Sequence, residues 1–196
     1  MGICTRVGFV RHGTTEWNRE KRIQGATDVP LNGEGIREAR LLAERLKEES
    51  WDVIYSSDLS RAYETARIIA GAMNRTVEGT EPGLREKQFG EAEGTTEEER
   101  IRRWGESWRS KIRGAETDEE VFRRGKEALD LLLERHPGQN ILIVSHGAWI
   151  VCMLTRLLPD VELPYIGNTS VSVLEHRDGQ WHPVLLGCQK HLDELP

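Results

Sequence analysis

The sequence has no apolar run that approaches the ~20 residues of a membrane-spanning helix, which argues against a membrane-embedded protein. Arg6 precedes any hydrophobic stretch, so we expect no secretory signal. Cysteine is scarce, and the three residues, Cys4, Cys152 and Cys188, form no close pair. We therefore predict free thiols in a reducing cytoplasm rather than a disulfide framework or a zinc site.

The sequence also lacks an excess of positive charge, because 27 basic residues stand against 33 acidic ones and the net charge is −6. A general binder of nucleic acid or of anionic membranes is not expected, and any anion site must be local. The content of 37% hydrophobic and 31% charged residues is typical of a globular chain. The length fits a single domain over 1–196.

Short apolar runs alternate with amphipathic helical patterns along most of the sequence. Strands are predicted at 7–10, 51–55, 76–78, 141–144, 171–175 and 181–186. Helices are predicted at about 32–49, 60–73, 117–137 and 148–158. This order predicts an α/β fold: a three-layer, doubly wound, mostly parallel sheet with helices on both faces and a C-terminal antiparallel hairpin.

Polar residues follow three of the predicted strands at their carboxyl ends. Residues 11–13 read Arg-His-Gly, Arg61 comes soon after the second strand, and residues 146–147 read His-Gly. Ligands of open α/β sheets bind beyond such ends, so we expect these groups to meet at one edge. The carboxylates of loop 84–94 could reach the same edge. Two guanidiniums and two imidazoles favour a dense anion such as phosphate, whose oxygens arginine binds bidentately.

Four blocks of the sequence carry a resemblance to a known family. Residues 11–18, 57–66, 84–94 and 145–147 resemble the motif blocks of the histidine phosphatase superfamily, which has the phosphoglycerate mutase-like fold. The blocks come in the family's order and the likeness extends over about residues 7–175, so it is far more specific than Arg-His-Gly alone. In character the chain is most similar to the short bacterial broad-specificity phosphatases.

The resemblance implies a phosphatase in which His12 attacks phosphorus and becomes a phosphohistidine. It implies that Glu86 protonates the leaving oxygen and then activates water. The residues that would hold the phosphate are Arg11, Asn18, Gln24, Gly25, Arg61, His146 and Gly147. Because the arginines would stabilise the charge on the transferring group, no metal ion or other cofactor is expected.

Glu86 brings a conflict into this scheme. Nearby cations favour an ionised carboxylate, whereas a general acid must hold its proton, so burial or the neighbouring Glu91 and Glu93 would have to oppose the arginines. The sequence leaves open which effect prevails. Thr14 is a departure from the family pattern, since many relatives carry Glu or Gln there, and it puts only fine substrate contacts in doubt.

A basic cluster interrupts the acidic composition. Its members are Arg100, Arg102, Arg103, Arg109, Lys111 and Arg113. One interpretation is a solvated helix face paired with Glu97, Glu98, Glu99 and Glu106. The other is a mobile lid at about 90–115, with Trp104 and Trp108 as its apolar underside, that favours substrates carrying more than one negative group.

Other catalytic classes do not fit. Ser145 lacks the preceding glycine of a hydrolase elbow, no cysteine has an arginine six positions on, and there is no P-loop. We expect hydrolysis of a small phosphorylated metabolite, with phosphoglycerate mutase or α-ribazole phosphate phosphatase activity as alternatives. A non-catalytic phosphate-binding module is disfavoured because it would not need His12. No nucleic acid or membrane partner is expected, and monomer and homodimer both stay open.

Overall fold

The computed structural model describes residues 2–193. Its strands are β1 (Cys4–Arg11), β2 (Val53–Ser56), β3 (Gly79–Thr80), β4 (Asn140–Ser145), β5 (Val171–Arg177) and β6 (Gln180–Cys188). They form one sheet with the order β3-β2-β4-β1-β5-β6.

The first four strands of the sheet run in the same direction. β1 pairs in parallel with β4, β4 with β2, and β2 with β3. β5 runs antiparallel to β1 and pairs antiparallel with β6. The predicted α/β fold, with a mostly parallel sheet and a C-terminal antiparallel hairpin, is confirmed.

Helices cover both faces of this sheet. They are α1 (Glu16–Arg19), α2 (Gly33–Leu46), α3 (Ser60–Ala72), α4 (Glu97–Trp104), α5 (Asp118–Arg135) and α6 (Gly147–Leu157). Ile141 and Ile143 of β4 pack with α5 and α6, whereas Leu142 and Val144 pack with α2 and α3. A strand buried on both faces needs apolar residues at successive positions, which explains the unbroken apolar run of β4.

Several element boundaries were predicted wrongly, and two of the differences have a clear structural reason. The small strand expected at 76–78 lies instead at Gly79–Thr80, because its ladder partners are Tyr55 and Ser56, which pair with Gly79 and Thr80. Helix α2 ends at Leu46 rather than near residue 49. The backbone N–H groups of residues 48 and 49 donate to carbonyls three residues earlier, so the last turn tightens and the helix stops.

Composition also made predictions about cysteines and membrane spans. The three cysteines are free, with Cys4 exposed and the other two half-buried. Between residues 2 and 193, no helix combines the length and the apolar character needed to cross a membrane.

The strand register brings the predicted site together. β1 and β4 end side by side, with Arg11 opposite Ser145, and the His12 N–H donates to the Ser145 carbonyl at 3.0 Å. β2 ends on the other side of β4, where the Ser57 N–H donates to the Val144 carbonyl at 3.0 Å. The residues that follow these three strands therefore emerge at one edge of the sheet.

Candidate active site

A cavity of about 360 Å³ opens at this edge. The predicted site residues that line it are Arg11, His12, Asn18, Gln24, Gly25, Arg61, Glu86 and Gly147. His146 lies behind this wall, fully buried, with its ring centroid 5.2 Å from that of His12. The structure thus gathers all the predicted site residues from four separate parts of the sequence.

His12 is 2% exposed and its ring is oriented by the backbone. Its Nδ1 lies 2.7 Å from the Gly13 carbonyl oxygen, which can only accept, so Nδ1 carries the hydrogen and Nε2 the lone pair. Burial, followed by the positive charges of Arg61 and Arg11, holds the pKa of His12 well below its usual value. The ring is therefore neutral near pH 7, with Nε2 available as a nucleophile.

Gly13 allows the backbone behind His12 to approach helix α2 closely. A Cβ at this position would lie 2.5 Å from the carbonyl oxygen of Gly35 in α2, far inside contact distance. Only glycine allows this approach, which sets the carbonyl that orients the His12 ring.

Arg11 and Arg61 are held by backbone carbonyls rather than by carboxylates. Arg11 donates to the Ile166 carbonyl at 2.8 Å, and Arg61 donates to the carbonyls of Thr27 at 2.9 Å and Gly25 at 2.7 Å. The Nε of each guanidinium is buried and has no hydrogen-bond partner among residues 2–193. Burial lowers the pKa of Arg61, although Glu86 and Asp28 nearby oppose the effect. Guanidiniums with buried, unpartnered N–H groups are stabilised by an anion placed between them.

Gly25 supports Arg61 through its carbonyl. Its backbone is left-handed, with φ +57°, and an added Cβ would collide with the Glu93 carboxylate. That carboxylate accepts the N–H groups of Ala26 and Thr27 at 3.0 and 2.9 Å. The Glu93 side chain therefore fixes the turn that holds Arg61 in place.

Asn18 has its amide orientation set by two donors. Its Oδ1 accepts from the Thr15 N–H at 3.2 Å and from the Asn168 amide at 3.2 Å. Its Nδ2 donors are left for the cavity, as a phosphate ligand requires. The Thr15 hydroxyl donates instead to the Gln24 side-chain oxygen at 2.8 Å, and Gln24 lines the cavity together with Asn18.

The Glu86 carboxylate lies at the N-terminus of α6. It accepts the N–H groups of Lys87 at 2.8 Å, Trp149 at 2.9 Å and Ala148 at 3.1 Å. These contacts hold the Glu86 carboxylate against the start of the helix whose first residue, Gly147, also lines the cavity.

The other two carboxylates of this loop are engaged elsewhere. Glu91 pairs with Arg113 at 2.7 Å, and Glu93 binds the turn at residues 26 and 27. Neither hydrogen-bonds to Glu86. The sequence left open whether these carboxylates act on Glu86, and the structure directs both of them to other partners.

Arg124 of α5 holds the Glu86 loop. Its guanidinium donates to the carbonyls of Gly83 at 3.0 Å, Arg85 at 2.7 Å and Glu86 at 3.0 Å, and it pairs with Glu116 at 2.8 Å. Sequence reasoning missed this residue, since an arginine on a charged helix is usually solvated. No local pattern reveals contacts made 38 to 41 residues away.

The outer wall of the cavity is largely apolar and was also missed. It is formed by Ile23, Phe89, Ala148, Val151, Tyr165 and Ile166, with Arg22 beside them. Tyr165 is 81% exposed and Val151 is 41% exposed, so this wall presents apolar surface at the mouth of the cavity. Such exposure follows from tertiary structure alone, so the sequence gives no signal for it.

Thr14, the departure from the family pattern, does not line the cavity. Its N–H and its hydroxyl donate to the Glu38 carboxylate at 2.8 and 3.0 Å. Both groups are buried in contact with α2, outside the wall that a substrate would meet.

The basic cluster fits neither interpretation fully. Arg100 is only 7% exposed and stacks on Trp108, with Arg109 on the same ring, at 4.7 and 4.4 Å. Glu99 pairs with Arg22 rather than with the cluster. A uniformly solvated, ion-paired face is therefore wrong for Arg100. No residue from 100 to 113 lines the cavity, and the lid at 90–115 stays a prediction.

A model of the histidine phosphatase superfamily (branch 1) matches residues 7–189. The chain belongs to this superfamily. The histidine phosphatase is 35% identical over 191 residues to the uncharacterized phosphatase PhoE of Bacillus subtilis (strain 168), covering 96% of this chain and 97% of that one. It is 38% identical over 194 residues to the probable phosphoglycerate mutase GpmB of Yersinia pestis (strain Pestoides F), covering 90% of this chain and 87% of GpmB.

A solved structure extends the comparison. The fold of this histidine phosphatase matches that of a phosphoserine phosphatase from Entamoeba histolytica in complex with phosphoserine. The TM-score is 0.80 at 31% identity, over 96% of this chain and 99% of the other. The prediction of a phosphatase-family enzyme with this fold is confirmed, and the relatives carry both phosphatase and mutase names.

Proposed function

We propose that this histidine phosphatase hydrolyses small phosphomonoesters through a phosphohistidine on His12, without a metal ion or other cofactor. The supporting observation is the state of His12: a buried neutral ring with Nδ1 2.7 Å from the Gly13 carbonyl and Nε2 free at a cavity. Arg11 and Arg61 flank it with buried, unpartnered Nε groups. A neutral nucleophile beside fixed cations is what displacement at a phosphoryl group needs.

In the first step the His12 Nε2 lone pair forms a bond to phosphorus while the bond from phosphorus to the ester oxygen breaks. Arg11, Arg61 and the Nδ2 of Asn18 stabilise the phosphoryl oxygens. The leaving oxygen takes a proton from Glu86. The phosphorylated ring gains positive charge, which the Gly13 carbonyl stabilises through Nδ1–H.

In the second step Glu86, now a carboxylate, takes a proton from a water molecule as the water oxygen bonds to phosphorus. The bond to Nε2 breaks, and inorganic phosphate leaves. The proton that Glu86 takes from water in this step replaces the one that it gave to the leaving oxygen, so the carboxyl returns to its starting form.

The character of the outer wall favours hydrolysis over phosphoglycerate mutase activity. A mutase must also hold the substrate carboxylate, and Arg22, the cation at the wall, is already paired with Glu20 at 2.7 Å and Glu99 at 3.0 Å. The remaining wall offers apolar contact to a leaving group. An α-ribazole phosphate phosphatase would use the same chemistry, and a substrate assay separates it.

The test compares wild type with His12→Ala in p-nitrophenyl phosphate hydrolysis, with and without EDTA. We expect EDTA to leave turnover unchanged and His12→Ala to lower it by more than about a thousandfold, because the covalent route is lost. The control, His182→Ala, changes a half-buried histidine of β6 outside the cavity and should keep full activity. Rapid quench with labelled substrate should trap an acid-labile phosphoryl group on wild type.

Three outcomes would contradict the proposal. Loss of turnover in EDTA with recovery on adding metal would refute metal independence. Activity in His12→Ala would refute the nucleophile. Isomerisation of 3-phosphoglycerate faster than its hydrolysis would make the protein a mutase, and phosphoserine and α-ribazole phosphate belong in the same panel.

We also propose a cytoplasmic location, supported by the three unpaired cysteines. Cell fractionation with a tagged chain tests it. Recovery with a membrane or secreted fraction would refute it.

A further inference from the structure

Ser57 and His146 meet at the buried end of the site. Ser57 follows β2 and His146 follows β4, and both are completely buried. The imidazole Nε2 lies 2.8 Å from the Ser57 hydroxyl oxygen. The Nδ1 atom of the same ring is buried without a hydrogen-bond partner among residues 2–193.

The direction of this hydrogen bond follows from the other contacts of Ser57. Its oxygen accepts the Leu59 N–H at 3.2 Å. Across residues 2–193, the imidazole is the hydrogen-bonding group left to receive the hydroxyl hydrogen. If Nε2 donated instead, the Ser57 hydrogen would be left without an acceptor and Nδ1 would be a buried lone pair. The hydroxyl therefore donates to Nε2.

A neutral imidazole that accepts at Nε2 carries its hydrogen on Nδ1. Burial, followed by the positive charge of Arg61, holds the pKa of His146 well below its usual value. The ring is therefore neutral, and the tautomer decides what it presents. With Nδ1–H it offers a donor, whereas with Nε2–H it would offer a lone pair that repels phosphoryl oxygens.

We propose that Ser57 is a positioning residue that selects the Nδ1–H tautomer of His146, so that this ring donates a hydrogen bond to the phosphoryl group. Only the identity of the group that accepts the Nδ1 hydrogen rests on the proposed function. His12 reaches the same tautomer by the opposite means, a carbonyl acceptor at Nδ1. One ring thus presents a lone pair to phosphorus and the other an N–H to its oxygens.

The tautomer can be read without any substrate. Long-range ¹H–¹⁵N NMR on protein labelled at histidine, with His146→Gln for assignment, should show His146 as Nδ1–H in wild type. Ser57→Ala should shift the population toward Nε2–H. The matched control is Ser56→Ala, which removes a fully buried neighbouring hydroxyl that donates to the Ser57 carbonyl at 2.7 Å and not to the imidazole. Nε2–H in wild type, or an unchanged tautomer in Ser57→Ala, would overturn the proposal.

A second arm measures binding of inorganic phosphate and the KM for p-nitrophenyl phosphate. Ser57→Ala should weaken phosphate binding about tenfold and raise the KM about tenfold, the size expected for the loss of one hydrogen bond to a charged group. Threonine and valine side chains have nearly the same shape, and only threonine has a hydroxyl. Ser57→Thr should therefore keep the wild-type tautomer and phosphate affinity, whereas Ser57→Val should lose both. This pair decides the matter if Ser57→Ala fails to fold, and equal behaviour of the two would refute the role of Ser57.

The two proposals fail in different ways. If no phosphomonoester is turned over and no phosphohistidine forms while His146 is Nδ1–H, the proposed function is wrong and the role of Ser57 stands. If turnover is normal and His146 is Nε2–H, the role of Ser57 is wrong and the function stands.

Discussion

Replacing Arg124 by alanine should loosen the loop that carries Glu86. The guanidinium bonds three loop carbonyls, at 2.7 to 3.0 Å, and Glu116. A hydrogen bond involving a charged group contributes about 1.5–3 kcal/mol, and these are partly exposed and share one side chain, so we expect a loss of about 2–4 kcal/mol. For a domain of this size that lowers Tm by roughly 5–15 °C.

The assay pairs a thermal melt with steady-state kinetics on p-nitrophenyl phosphate. Loss of Arg124 should misplace Glu86 and lower kcat about tenfold or more. Because Arg124 does not line the cavity, the affinity for inorganic phosphate should change little. Arg124→Lys should not rescue, since one ammonium cannot bond three separate carbonyls and a carboxylate.

The control is Arg156→Ala in α6, which loses an exposed ion pair with Glu119 and should cost under about 1 kcal/mol. An Arg124→Ala protein with wild-type Tm and kcat would refute the assignment of this residue as the support of the Glu86 loop. Equal losses of kcat and of phosphate affinity would show general damage to the site instead.

Two further predictions concern stability. Gly25→Ala should lower the free energy of unfolding by at least about 1–2 kcal/mol, because φ is left-handed at +57° and the added Cβ collides with the Glu93 carboxylate. The same change should weaken phosphate binding through Arg61. In the control, Gly71→Ala in α3, the added Cβ meets open space, so the same urea titration should show a neutral or stabilising effect. Burial, followed by the charge of Arg45, lowers the pKa of His191 to about 4 from 6.5. The unfolded state therefore binds a proton at this histidine more readily than the folded state. Between pH 6.5 and pH 4, the free energy of unfolding should fall by about 3 kcal/mol more in wild type than in His191→Gln. An equal pH dependence of the unfolding free energy in the two proteins would contradict this.

The sequence predicted the fold, and which residues would meet at one edge of the sheet, because both depend on patterns that recur along the chain. Parallel strands end at the same edge, so an apolar run followed by His12, or by His146, locates each residue without knowledge of distant contacts. Glu86 required the family resemblance, since its position depends on Arg124, 38 residues away.

What the sequence did not reveal depends on contacts between distant segments. Nothing in the sequence around Ser57 distinguishes it from other serines. Its proposed role depends on its contact with His146, 89 residues later. Arg100 was expected in solvent, but Trp108 folds back beneath its guanidinium. Strand β3 has two residues, too few for any periodic pattern to mark its bounds.

The cavity's charges are concentrated at its phosphoryl end, where Arg11 and Arg61 keep buried Nε groups without protein partners. The outer wall offers a departing alcohol little beyond apolar contact. Under the proposed hydrolysis, these cations bind the group that every substrate shares with the product, inorganic phosphate. Inorganic phosphate should therefore inhibit competitively, with one inhibition constant whatever the leaving group.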